Sequence, residues 1–155
     1  MDYCEDIRKM IGNSPLIVVR PCVAFLNDQG EVLLTRNTGG TWDIPSGILQ
    51  LNESVEECIS RIVLEDIGVK ILKLKLFSVY SGKELINRVM ESGDEYHPVV
   101  IAYLCTEYEG EINQVNHQAK EARFFNLNQL PEQIIPFIKN NISKLKFNLE
   151  KINDN

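Results

Sequence analysis

The residues best suited to chemistry in this sequence are acidic side chains that recur between positions 53 and 66. Glu57, Arg61 and Glu65 are spaced four apart, which places them along one stripe of a helix, and Asp66 follows directly. The four acidic residues among them and just before them provide carboxylate oxygens at a density that suits Mg2+ or Mn2+: Glu53, Glu57, Glu65 and Asp66. An acidic helix face is more often simply solvated, so this spacing alone does not distinguish a metal site from a surface.

Clear start and stop signals predict that these residues share one helix of about 13 residues. Ser54 followed three residues later by Glu57 is a capping-box pattern, and Gly68 is a typical helix terminator. The apolar residues that recur every four positions are expected to face the core: Val55, Ile59, Val63 and Ile67. Positions 62, 65 and 66 would then project near one another.

The segment from Gly47 to Val69 resembles the signature of the Nudix hydrolases. That signature is glycine, five residues, glutamate, seven residues, then Arg-Glu-aliphatic-any-Glu-Glu-any-Gly-aliphatic. The positions in register are Gly47, Glu53, Arg61, Val63, Glu65, Gly68 and Val69. The lead-in from Thr41 to Gly47 also resembles the family's Trp-any-any-Pro-Gly-Gly, with Ser46 in place of its first glycine.

Two positions of the signature depart from the family pattern. Ile62 stands where the family has the glutamate after the arginine, and Asp66 replaces the last glutamate. The first departure matters more, because it removes both a negative charge and a coordination site. Ile62 also widens the apolar stripe of the helix, which is what packing without catalysis would favour.

The resemblance implies a metal-dependent site around this helix. In the family, carboxylates on the helix and a backbone carbonyl just before it hold divalent cations against a diphosphate. Carried over, the metal ligands are Glu65, Asp66, Glu53 and the carbonyl of Ser46, with Mg2+ or Mn2+ as the cofactor. Such an ion would polarise phosphorus and lower the pKa of an attacking water. Glu65 would also serve catalysis, and Arg61 would orient neighbouring carboxylates through salt bridges.

A further acidic residue stands later in the chain. The segment Glu121 to Phe125 resembles the late strand of many Nudix domains, where an early carboxylate often supplies a metal ligand or the general base. Glu121 is the candidate for that role, because Gln118 at the other suitable position cannot act as a base. The alternative interpretation of Glu121 is a surface carboxylate beside Arg123.

Three aromatic residues are candidates for binding the substrate. Trp42, Tyr80 and Tyr96 lie where a ring could stack on a nucleobase, although aromatic residues at such positions more often pack in the core or at its rim. A Gly93 to Tyr96 loop tip is predicted to border the cleft, as an equivalent hairpin does in similar Nudix proteins.

Composition restricts the partners. The net charge is −6, which argues against a broad nucleic-acid surface but allows a small phosphorylated ligand if cations lie between the anions. No segment reaches the apolar length of a membrane span, and the charged start shows no secretory signal. The scattered cysteines are Cys4, Cys22, Cys58 and Cys105; they favour reduced, buried thiols in a cytoplasmic protein.

The remaining pattern predicts a single α/β domain, the α/β/α sandwich with a mixed sheet that the resemblance implies. A helix within residues 1–14 is expected to face inward through Tyr3, Ile7 and Met10. The Nudix domain would cover 15–135, followed by a C-terminal helix over 136–155. Strands are predicted for Leu16 to Leu26, Glu31 to Arg36, Ile71 to Ser81, Pro98 to Cys105 and Glu121 to Phe125.

Two functions follow as expectations. The first is a hydrolase that cleaves the diphosphate linkage of a nucleoside diphosphate joined to another moiety. The second is an impaired Nudix domain that binds a nucleotide or regulates a partner, favoured if Ile62 points into the metal cluster without a compensating carboxylate such as Glu57 or Glu121. The particular substrate stays open, and a homodimer is one option for the oligomeric state.

Overall fold

A computed structural model describes residues 2–112, 121–141 and 144 of this chain. No helix in that part is long and apolar enough to cross a membrane. The helices are α1 (Tyr3–Ile11) and α2 (Val55–Ile67), a 3-10 turn covers Lys83–Leu85, and a further helix begins at Pro136. The strands are β1 (Leu16–Phe25), β2 (Glu31–Arg36), β3 (Trp42–Asp43), β4 (Lys70–Tyr80), β5 (Asn87–Arg88), β6 (Glu95–Glu109) and β7 (Glu121–Asn126).

The strands form two sheets, and the larger one is mixed as predicted. β1 runs parallel to β6, while β4 and β5 pair with β6 in the antiparallel direction. β3, β2 and β7 form the second sheet, which is antiparallel throughout. Alternation along β2 sends Leu33 to one apolar cluster and Leu34 to the other, so the two faces of this sheet have separate cores.

One of these cores contains the inner face of α2. Ile59, Val63 and Ile67 of α2 pack in it with Leu33 and Ala122, and we call this side of the sheets the α2 face. The core on the opposite face contains Trp42, Leu34 and Ile138, the last from the helix that begins at Pro136. The sheets are therefore covered by a helix on each side, as in the predicted three-layer arrangement.

The local signals around α2 are confirmed. The helix has the predicted 13 residues, from Val55 to Ile67, and the hydroxyl of Ser54 accepts a hydrogen bond from the Glu57 amide at 3.0 Å. Gly68 ends it in the left-handed conformation, with φ of 74°, where a residue without Cβ avoids strain. Cys4, Cys22, Cys58 and Cys105 are all buried free thiols, as expected.

Two details of the sequence interpretation were wrong. The inward residue of α1 is Cys4, whereas Met10 is 80% exposed and Tyr3 lies at the surface, because a helix this short buries a narrow stripe. Tyr96 belongs to β6 and not to a loop tip, since β6 begins at Glu95 and pairs with β1 from there. The last helix begins at Pro136, where the predicted C-terminal helix starts, because proline suits the first helical turn; its end lies outside the described residues.

Candidate functional site

Ile62 fills the space between α2 and the loop that precedes it. Its side chain is 6% exposed, and a Cβ built on Gly47 would lie 2.3 Å from Ile62 Cδ1 and 2.8 Å from Cγ1. Such distances are far below ordinary van der Waals contact, so this close approach requires a glycine at position 47. An apolar contact therefore occupies the position where the family signature has a carboxylate.

Hydrogen bonds to β1 hold the same loop on its other side. The amides of Gly47 and Leu49 donate to the carbonyls of Pro21 and Val19, at 3.2 and 2.9 Å. Arg20 donates from Nη2 to the hydroxyl of Ser46 at 3.1 Å. Ser46, the predicted carbonyl ligand, thus lies in a segment fixed from two directions.

Arg61 and Glu53 form a bidentate ion pair beside this loop. Arg61 Nε and Nη2 donate to the two carboxylate oxygens of Glu53 at 3.1 and 2.9 Å, while Arg61 Nη1 lies 3.8 Å from Glu65. The Gln50 amide also donates to Glu53, at 2.9 Å. The main partner of Arg61 is therefore Glu53, a contact that the i,i+4 spacing from Glu57 and Glu65 does not reveal.

This pairing predicts a specific acid response. The bonds from Arg61 lower the pKa of Glu53 to about 2 from its ordinary 4.5. Because the folded pKa is depressed, the pair stabilises the fold above pH 4.5, and this contribution is lost as pH falls from 4.5 to 2. We expect urea unfolding of the native chain to lose more stability over that interval than Glu53→Gln does. Parallel pH profiles for the two proteins would contradict the assignment.

Glu65 and Asp66 lie on the last turn of α2, as predicted, but the wider ligand set does not assemble. The side chain of Glu65 is 47% exposed, and Glu53 is engaged by Arg61. Within residues 2–112, 121–141 and 144, no group of three or more His, Cys, Asp or Glu side chains is placed to hold a metal ion. With Ile62 packed on Gly47, the residues present do not fit the ligand set that the resemblance implies.

A half-buried acid lies just before the loop. Asp43 accepts a hydrogen bond from the Ile44 amide at 2.8 Å. Burial raises the pKa of Asp43 to about 6, against the opposing influence of Arg20 and of that amide. Sequence reasoning passed over Asp43 and Arg20, since neither belongs to a recognisable spacing.

Asp43 gives a pH dependence of the opposite sign. Its folded pKa lies above its ordinary value of 3.8, so the folded state holds this proton more tightly. Stability should therefore fall as pH rises from about 4 to about 6. The isosteric variant Asp43→Asn keeps an acceptor for the Ile44 amide and should remove that decline. A decline of the same size in the variant, measured by urea unfolding, would show that another group causes it.

Glu121 lies away from α2. Its neighbour Ala122 packs on the α2 face, so Glu121 points to the opposite face, where it pairs with Arg36 at 2.8 Å and with Arg123. The bond from Arg123 is the main cause of its lowered pKa. The predicted base is thus the shared partner of two arginines, while Gln118 lies outside the described residues.

The three aromatic candidates have three different surroundings. Trp42 is 7% exposed and makes an edge contact with Phe125, so it serves the core. Tyr96 lies under the guanidinium of Arg8, 4.4 Å from the ring centroid, beside α1. The structure does not bring these two together with Tyr80.

Tyr80 lines a small cavity beneath the helix that begins at Pro136. Its ring contacts that of Phe137 with centroids 4.8 Å apart, and the cavity of about 30 Å³ has room for about one water. The Tyr80 hydroxyl is buried and has no hydrogen-bond partner within the described part of the chain. A buried hydroxyl without a hydrogen-bond partner costs folding free energy, so the Tyr80 hydroxyl is suited to form a hydrogen bond with a ligand or a water.

Comparisons with known sequences agree with the signature. The family model of the NUDIX domain matches residues 16–145. An ADP-ribose pyrophosphatase of Methanocaldococcus jannaschii is 30% identical over 144 residues, which are 88% of this chain and 73% of that protein. An NAD-capped RNA hydrolase NudC of Pseudomonas aeruginosa is 28% identical, but the match covers 72% of this chain and 37% of that longer protein.

Solved structures agree with the fold. A MutT NUDIX hydrolase from Burkholderia pseudomallei superposes with a TM-score of 0.70 at 22% identity, over 83% of this chain and 98% of that one. A MutT protein from Methanosarcina mazei Go1 gives a TM-score of 0.70 at 16% identity, over 89% and 97%. At these identities the likeness concerns the fold.

Proposed function

Because this chain belongs to the Nudix family, we propose that it binds a nucleotide-linked diphosphate and has lost the family's hydrolytic turnover. The contact between Ile62 and Gly47 carries this proposal. An isoleucine side chain provides neither charge nor lone pair, and its burial leaves no room for a ligand to be added at that point.

No described carboxylate compensates for Ile62. Glu57 is exposed at the start of α2. Glu121 lies on the opposite face, where it forms ion pairs with two arginines. Glu53 is equally committed, because both of its oxygens accept from Arg61. Loss of turnover with retention of the fold is the simplest consequence, since binding relies on cleft shape and polar contacts beyond one ligand position.

Names of relatives suggest the class of ligand. The protein from Methanocaldococcus jannaschii is named for ADP-ribose and the one from Pseudomonas aeruginosa for NAD-capped RNA. Both named compounds, ADP-ribose and NAD, contain an adenosine diphosphate joined to another group. We therefore take ADP-ribose as the first probe, with Tyr80 as a candidate for contact with its base. Since the cavity beside Tyr80 is small, a base would enter only if the helix beginning at Pro136 moved.

A second candidate, hydrolysis of that diphosphate linkage with Mg2+ or Mn2+, is favoured by one observation. Glu65 and Asp66 are retained side by side on the last turn of α2, where oxygen ligands for a hard cation would be needed. This candidate requires turnover from a reduced ligand set.

Calorimetry with ADP-ribose, followed by analysis of the same samples for product, tests the proposal. We expect saturable binding and unchanged ADP-ribose after incubation with Mg2+ or Mn2+. Tyr80→Phe, which removes the unpaired hydroxyl alone, should weaken binding if that atom contacts the ligand, and Tyr108→Phe is the matched control. Absence of binding to ADP-ribose and to a nucleotide panel would refute the binding function, and product formation would favour the hydrolase.

A further inference from the structure

Two arginines converge at one end of the second sheet. Arg36, the last residue of β2, is directly opposite Trp42 on β3 and Glu121 on β7. Side chains that are directly opposite on one face of a sheet lie within contact distance. Arg123 follows Glu121 by two residues and therefore points to the same face.

The resulting cluster is ordered by one carboxylate and two aromatic rings. Arg36 Nη2 lies 2.8 Å from Glu121 Oε2, and Arg123 bonds to the other oxygen, Oε1. The guanidinium carbons of the two arginines lie 5.7 and 5.5 Å from the centroid of Trp42, and Arg123 also lies 5.4 Å from that of Phe125. Stacking on aromatic rings holds guanidinium groups in a fixed orientation.

The cluster has a surplus of positive charge and of hydrogen-bond donors. Two guanidinium groups face one carboxylate, which leaves a charge of +1 in a chain whose net charge is −6. The side chains of Arg36 and Arg123 remain 43% and 59% exposed, so a solute can reach them. Arg36 Nε is buried and has no hydrogen-bond partner within the residues described. An unsatisfied guanidinium donor favours an anionic acceptor.

We propose that Arg36 and Arg123 form a binding site for phosphate oxyanions, and that Glu121 acts as an internal counter-ion which competes for it. The site lies on the face opposite α2, and it does not require that the proposed binding of ADP-ribose be correct. Each planar guanidinium group can donate to two oxygens of a phosphate at once, which the single ammonium group of a lysine matches less well.

Because Glu121 competes with the ligand, two variants should change the affinity in opposite directions. Calorimetric titration with inorganic pyrophosphate, in EDTA, compares the native chain with Glu121→Gln and Arg123→Gln. Removing the competing charge should tighten binding in Glu121→Gln about tenfold, and removing a donor should weaken it about tenfold in Arg123→Gln. Arg88→Gln is the matched control, because Arg88 is also an exposed arginine paired with one glutamate, and its affinity should equal that of the native chain.

Titration with ADP separates free phosphate from phosphate carried by a nucleotide. A loss of ADP affinity in Arg123→Gln that parallels the pyrophosphate result assigns the site to nucleotide phosphates, and unchanged ADP affinity assigns it to free phosphate. Unchanged or weaker pyrophosphate binding in Glu121→Gln would overturn the proposal. The ion pairs of Glu121 would then serve only to link β2 and β7. Arg123→Gln, altered at the surface, keeps the test valid if Glu121→Gln does not fold.

Discussion

Ile62→Glu should unfold more easily than the native chain in EDTA and should regain stability in Mn2+. The variant places a carboxylate in a position that is 6% exposed and in contact with Gly47, so we expect a loss of about 2 to 4 kcal/mol in the free energy of unfolding. With Glu65 and Asp66 on the same helix, the new carboxylate would also complete a set of oxygen ligands. We expect Ile62→Glu to bind Mn2+ at least about 10-fold more tightly than the native chain does. Residues that only support the ligands already change metal affinity by about 10-fold or more, and a direct ligand should contribute no less.

Ile62→Gln is the matched control for this prediction. It has nearly the same size as Ile62→Glu and a similar loss of apolar contact, but no charge. Urea unfolding of the three proteins, with EDTA and with Mn2+, should show a metal response in Ile62→Glu alone. A similar Mn2+ response in the native chain would mean that a metal site exists without the carboxylate at position 62.

Gly47→Ala should also lower the free energy of unfolding, although by less than Ile62→Glu. A methyl group there would lie 2.3 Å from Ile62 Cδ1, and Ile62 is enclosed, so either the loop or the helix must shift. Overpacking of this kind costs about 1 to 3 kcal/mol. Gly39→Ala, where the added Cβ would approach only the Asn37 side chain at 3.3 Å, is a control that should cost less.

A double-mutant cycle identifies the cause of that loss. If contact with Ile62 is responsible, Gly47→Ala should be better tolerated in an Ile62→Ala background, where the methyl group enters space that the isoleucine has left. Additive losses of unfolding free energy would show that the backbone of the loop, and not Ile62, disfavours alanine at position 47.

Local signals in the sequence were sufficient for the elements around the site. The cap at Ser54, the terminator at Gly68 and the four-residue apolar spacing identify α2 with its bounds, because each acts within one helix. β2 was predicted from Glu31 to Arg36 for a similar reason, since it is a short β-branched and apolar run after a turn.

Long-range contacts were beyond the same reasoning. The ion pair between Arg61 and Glu53 spans a loop whose path depends on hydrogen bonds to β1, and the position of Glu121 depends on which face of the sheet it points to. Both features depend on how separate segments pair in the folded protein, so the spacing of residues within one segment does not reveal them. The pair of Glu121 with Arg123 was the alternative that the sequence offered, but Arg36 and Trp42 were not connected with it because they come from two other strands.

Phosphate release by the native chain tests the central claim most directly. A nucleotide and dinucleotide panel that includes ADP-ribose would be incubated with Mg2+ or Mn2+ and with a coupling phosphatase, and compared with the same reactions in EDTA. With Ile62 packed on Gly47, we predict no release that depends on the divalent cation. Cation-dependent release that increases in proportion to the concentration of the native chain would contradict the claim and establish a hydrolase with a rearranged ligand set.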